Sequence, residues 1–113
     1  MLIIAHRGAS QRAPENTLSA LRLAAESGAT WVEADVQLSQ DNVPVIFHDE
    51  TLTRVAGSDD ALAACTWKQL QGLDVGRWFS SQFAGERIPS LSAWLTLAAN
   101  LGINLNLELK GMN

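Results

Sequence analysis

Two stretches of this chain alternate strictly between polar and apolar residues, and they limit the possible fold more than any other feature. In Trp31 to Leu38, Glu33, Asp35 and Gln37 fall on one side, with Val32, Ala34, Val36 and Leu38 on the other. In Ile103 to Lys110, Asn104, Asn106, Glu108 and Lys110 oppose Ile103, Leu105, Leu107 and Leu109. A period of two is a strand signature, so each stretch predicts a strand with one charged and one apolar side. Residues i and i+2 stand about 7 Å apart on one face. Carboxylates that close repel, which favours the neutral acid unless a cation lies between them. Three acids aimed at one point make an oxygen-rich site suited to a hard divalent ion. A half-exposed antiparallel sheet with its acids in water shows the same alternation. The pairs alone favour that plainer reading; the rest of the chain reverses it.

The N-terminus reads Leu2-Ile3-Ile4-Ala5, then His6-Arg7-Gly8, then Ala13-Pro14-Glu15-Asn16-Thr17. This pattern predicts a buried strand that ends in functional groups before a loop and a helix. Pro14 and Asn16 suit the start of that helix, Leu18, Leu21 and Ala25 form its apolar stripe, and Gly28 suits its end. The planar fork of Arg7 suits a phosphate, and Gly8 lets backbone approach a ligand. In isolation, His6 would more often be a structural histidine and Arg7 a surface charge. A second histidine follows the apolar run Val43-Pro44-Val45-Ile46-Phe47, as His48-Asp49. The link from the Glu33 strand is too short for a helical crossover, so a hairpin or antiparallel excursion is expected. With Asp41-Asn42 as a two-residue turn, Asp35 would lie directly opposite His48. A one-residue slip would destroy that register.

Taken together, His6-Arg7-Gly8, Ala13-Pro14-Glu15-Asn16-Thr17, Glu33-x-Asp35, His48-Asp49 and Glu108-x-Lys110 resemble the glycerophosphodiester phosphodiesterases, in order and spacing. Each motif is weak alone, but all of them in order make a strong signal covering essentially the whole chain. The resemblance implies an α/β fold, the TIM (β/α)₈ barrel of the phospholipase C-like phosphodiesterases. Such barrels need about 250 residues, whereas this chain has 113. It reads as a partial domain over 1–113, the N-terminal half, ending just past what looks like the fourth strand. The resemblance makes Glu33, Asp35 and Glu108 metal ligands, with Mg²⁺ or Ca²⁺ as the ion. It makes His6 and His48 the general acid and base, and Arg7 and Lys110 the residues that neutralise the phosphate. An imidazole near pH 6.5 carries protons both ways at neutral pH. The implied reaction cleaves a small-molecule glycerophosphodiester to glycerol 3-phosphate and an alcohol. Attack by water and attack by a neighbouring substrate hydroxyl both remain open. The competing reading is an inactive half-barrel acting only as an ion-binding or interaction module. A related phospholipase of the same fold is a third and weaker reading, which the Ala13-Pro14-Glu15-Asn16-Thr17 segment and Glu108-x-Lys110 disfavour.

Composition adds boundaries. With 47% hydrophobic and 18% charged residues and a formal net charge of −4, the chain lacks the basic balance of a nucleic-acid binder. Cys65 is the only cysteine, so nothing points to an oxidising compartment. The first apolar run is too short for a signal peptide or membrane helix, which makes cytoplasm the expected location. Residues 50–89 are irregular, and the resemblance makes them an insertion over the barrel mouth. Thr66 is expected to cap a short helix through Leu70. Trp67, Trp78, Phe79 and Phe83 suit a substrate pocket, but most are expected to pack the insertion's own core. Ser90 is expected to cap an amphipathic helix with Leu91, Trp94, Leu95, Ala98 and Leu101 on one stripe, ended by Gly102. Half a barrel leaves open strand edges and uncovered apolar faces. A second copy, head to tail, is a possible completion into a ring of eight strands.

Overall fold

The computed structural model describes residues 4–111; Leu2 and Ile3 of the expected first strand lie outside them. Both alternating stretches are strands. The chain runs β1 (Ile4–His6), α1 (Leu18–Glu26), β2 (Trp31–Leu38), β3 (Pro44–Ile46), α2 (Thr53–Ala56), α3 (Trp67–Gln71), α4 (Leu91–Leu101) and β4 (Asn104–Leu109). Strand β2 is the centre of the sheet. β1 and β4 pair with it in parallel, at Ala5↔Val32 and Leu107↔Ala34, while β3 pairs antiparallel at Val45↔Gln37. The fourth strand in sequence is thus the third parallel one, and β3 is the expected antiparallel excursion.

The apolar sides of the strands meet two helices. Val32, Ala34 and Val36 are fully buried against Leu21, Ala24, Trp94 and Ala98, with Leu105 and Leu107 packed alongside. Helix α1 starts at Thr17, whose hydroxyl oxygen accepts from the Ala20 amide at 3.2 Å, satisfying one orphan donor of the first turn. Helix α4 starts in the same way at Ser90 and ends at Gly102, which takes a left-handed φ of 69°. Its buried stripe differs from the expected one at a single position. Leu95 is 44% exposed, and Leu97 packs on the core instead. At 3.6 residues per turn Leu95 lies about 100° around the axis from Trp94, whereas Leu97 lies within about 60°.

Residues 50–89 enclose a second core of Val45, Phe47, Leu52, Val55, Leu62, Cys65, Leu70, Val75 and Ile88. Helix α3 bears the expected Thr66 cap, reinforced as a capping box by Gln69. The aromatic residues are mostly elsewhere. Trp67 packs against this core, but Trp78, Phe79 and Phe83 form an edge-to-face ladder with centroids 5.9 and 5.8 Å apart, and Trp78 is exposed. Aliphatic side chains already fill the interior, and the Trp78 indole donates to the Val75 carbonyl at 2.9 Å, which holds it at the rim.

Gly8 shows why the first loop sits so close to α1. Its φ is +78°, and a Cβ there would stand 2.7 Å from Ala20 Cβ and 2.8 Å from the Ala20 carbonyl carbon. Gly8→Ala therefore meets both strain and a backbone clash. It is expected to cost about 2–3 kcal/mol, seen as a lower urea midpoint with unchanged m.

Candidate active site

Strand register builds the site. Parallel pairing sets Glu33 beside His6 and Asp35 beside Glu108, so charged ends of three strands converge on one face. Oxygens of Glu33, Asp35 and Glu108 lie within 4.8 Å of one another. Asp35 is the hub of the cluster. Its side chain is 1% exposed, with Arg7 Nε 3.4 Å from one oxygen and Lys110 Nζ 3.9 Å from the other. The Asn16 amide donates to it at 3.1 Å. Lys110 Nζ also stands 3.9 Å from Glu108. The expected residues His6, Arg7, Glu33, Asp35, Glu108 and Lys110 are therefore brought together.

Glu33 is the least satisfied member. His6 Nε2 lies 2.9 Å from its Oε2, yet neither buried carboxylate oxygen has a hydrogen-bond partner among the described residues. Burial, and then the neighbouring Asp35 charge, push its pKa up. A carboxylate with buried acceptors that lack hydrogen bonds, facing two more acids, has the donor chemistry that a hard cation requires. The all-oxygen set fits a divalent ion.

His48 does not lie opposite Asp35. The observed pairs Val36↔Ile46 and Leu38↔Pro44 are one residue out of the expected register, so the Phe47 amide donates to the Asp35 carbonyl at 3.0 Å instead. The hairpin loop has three residues rather than two: the Ser39 amide donates to the Val43 carbonyl across it, and Asn42 takes a left-handed φ of 65°. A loop of that length ends in just such a left-handed residue. His48 belongs to an adjoining cluster with Glu15 and Asp49. Its Nδ1 is 2.7 Å from Asp49 Oδ1. Gln37, the third polar residue of β2, reaches across and donates to the carbonyls of Phe47 and Asp49 at 2.7 and 2.9 Å. It thereby clamps the backbone on both sides of His48.

Arg54 dominates this second cluster. It donates through Nε and NH2 to Asp49 at 2.9 and 3.1 Å, and through NH1 and NH2 to Glu15 at 2.9 and 3.0 Å. Hydrogen bonds from Arg54 hold the Asp49 pKa down to about 2. The guanidinium already fills the space between these acids, so this cluster is an ion-pair network and not a second cation site. Glu15 joins the two clusters, since it also accepts from Arg7 at 3.2 Å. The sequence reading missed the roles of Glu15, Asn16, Asp49 and Arg54. Glu15 and Asn16 stood inside a noted motif, where Asn16 was assigned only to a helix start. Nothing local distinguishes Arg54 from a surface arginine.

The pattern of the glycerophosphoryl diester phosphodiesterase family matches residues 6–113, which includes all the residues described above. The chain belongs to that family. It is 41% identical over 109 residues to the glycerophosphodiester phosphodiesterase of Caldanaerobacter subterraneus subsp. tengcongensis, covering 96% of this chain and 45% of that one. A phosphodiesterase from Oleispira antarctica, solved in complex with the product sn-glycerol-3-phosphate, superposes with a TM-score of 0.94 at 44% identity. That match covers 97% of this chain and 44% of the other. The glycerophosphodiester phosphodiesterase of Agrobacterium tumefaciens gives a TM-score of 0.92 at 37% identity, over 96% and 47% of the two chains. The chain thus spans a little under half the length of these relatives. Its mostly parallel α/β sheet superposes on a part of these relatives' folds.

Proposed function

We propose that this chain carries the metal-binding and acid–base part of a glycerophosphodiester phosphodiesterase built on a (β/α)₈ barrel, which releases glycerol 3-phosphate and an alcohol. The observation that carries the reading is the Glu33 carboxylate beside Asp35 and Glu108: both of its buried oxygens lack a hydrogen bond among the described residues, and only the His6 ring, 2.9 Å from one of them, stands against it as an ion-pair neighbour. These three would hold Mg²⁺ or Ca²⁺. When bound, the ion supplies Lewis-acid polarisation of a phosphoryl oxygen and a template for the attacking group. Arg7 and Lys110, each already set against Asp35, would face the remaining phosphate charge. His6 and His48 are the proton carriers: one removes a proton from the attacking water or hydroxyl as its oxygen bonds phosphorus. The other protonates the departing alcohol oxygen as its bond to phosphorus breaks. The relative from Oleispira antarctica, with its glycerol 3-phosphate product, supports that product here.

Residues 50–89 would lie over the barrel mouth and shape the choice of alcohol. A cytoplasmic setting suits the buried, unbridged Cys65, and no helix among the described residues is long and apolar enough to cross a membrane. Completion of the barrel by another segment or copy suits the outer strands, where Ile4 is 57% and Leu109 63% exposed. Two copies together would supply six parallel strands, from the three among the described residues of each, so the simple head-to-tail ring of eight does not follow. The test combines mass by light scattering with glycerophosphocholine hydrolysis on one sample, with and without EDTA. A discrete assembly that releases glycerol 3-phosphate only with metal is expected. A monomer or aggregate without turnover, even with Mg²⁺ or Ca²⁺ added, would refute activity for this chain.

A further inference from the structure

The proton-carrying role of His48 leaves open what fixes the proton on its ring, and the second cluster answers that. We propose that Asp49, held in place by Arg54, is a positioning residue that fixes neutral His48 as the Nδ1–H tautomer and leaves Nε2 for proton exchange. The inference deepens the functional reading above and rests on it for the meaning of that exchange.

Asp49 Oδ1 stands 2.7 Å from His48 Nδ1. An ionised carboxylate can only accept, so the nitrogen facing it must bear hydrogen. Asp49 stays ionised because Arg54 grips both of its oxygens. Arg54 is fixed in turn by its second fork on Glu15 and by the Trp78 ring, whose centroid lies 5.2 Å from the guanidinium carbon. With Gln37 clamping the backbone at Phe47 and Asp49, the ring has both its backbone and its Nδ1 side set. Trp78, the exposed end of the aromatic ladder, thereby supports the arginine that holds the acid that orients the histidine.

Tautomers are read directly from long-range ¹H–¹⁵N correlations of the imidazole rings, recorded on the labelled chain at a pH where the histidines are neutral. His48 in the unsubstituted chain is expected to read as Nδ1–H. In Asp49→Asn the amide can donate to Nδ1, so the signal should invert to Nε2–H. Arg54→Gln should give a mixture. Arg54→Lys should restore little, because an ammonium cannot reproduce two planar forks. His6, outside the network, serves as the control in the same spectrum. An Nε2–H reading in the unsubstituted chain, or an unchanged tautomer in both Asp49→Asn and Arg54→Gln, overturns the proposal. Arg54 is exposed, so its variants remain informative if Asp49→Asn does not fold. In turnover, Asp49→Asn should lower kcat on the order of 10³-fold with KM nearly unchanged; a rise in KM at constant kcat would also overturn it. The tautomer is read without turnover, so an inactive chain would count against the functional reading and not against this one.

Discussion

Glu33→Gln is expected to abolish the stabilisation that a divalent ion confers, while leaving the ion-free protein as stable as before or more so. The two effects have one cause. The Glu33 carboxylate is buried beside Asp35, its pKa is pushed up by that burial and by the Asp35 charge, and its oxygens lack hydrogen bonds despite the nearby His6 ring, so its ionised form is costly to the fold without a cation. A raised pKa in the folded state means stability present below the ordinary value of 4.5 and lost as pH rises through the folded value. The ion-free protein should therefore lose stability from Glu33 as pH climbs past that window, and the neutral amide of the variant should remove this loss. An ion at a hundred times its Kd adds about 2.7 kcal/mol to the native state. Thermal melts with EDTA and with excess Mg²⁺ or Ca²⁺ check both halves. If Glu33→Gln melts lower in EDTA and still gains from the ion, Glu33 is a structural acid and not a ligand. Asp35→Asn should behave differently, because it strips the counter-charge from Arg7 and Lys110 and so lowers stability as well as ion binding.

His48→Ala should lower turnover by about 10²–10⁴-fold, with ion affinity little changed. The ring pairs with Asp49, outside the Glu33–Asp35–Glu108 group, so on the proposed reading its loss would remove proton transfer and leave the three acids in place. His6→Ala is the informative contrast. His6 Nε2 lies 2.9 Å from Glu33, so that substitution should alter ion affinity and rate together. Titrating the ion against each variant's rate of glycerophosphocholine hydrolysis separates the two. A normal rate for His48→Ala removes it from the mechanism.

The strands and the acids were legible in the sequence because alternation is a local property, and β2 and β4 each show it over several residues. Their convergence depended on the parallel pairing of Asp35 with Glu108, which no local pattern records. Caps at Thr66 and Ser90 were legible for the same local reason. His48 was placed one residue out because Asn42 takes a left-handed turn in a loop of two residues or of three. Only the Ser39–Val43 closure decides between them. The Arg54 network was not legible at all: it joins residues 15, 49 and 54 across a gap of 39 positions. Leu95 and Leu97 were exchanged because a leucine-rich helix offers more apolar positions than one contact face can use.

The separate core of residues 50–89 divides evolutionary freedom unevenly. Val45 and Phe47 root that core in the hairpin, while the acids stand on strands buried against other helices. Most of residues 50–89 can therefore change in sequence without moving the Glu33, Asp35 or Glu108 carboxylate. Arg54 is the exception that touches the candidate site, because it reaches out of the segment to Asp49 and Glu15. If residues 50–89 shape the choice of alcohol as proposed, that choice could change while the acid cluster stayed in place, provided Arg54 kept its contacts.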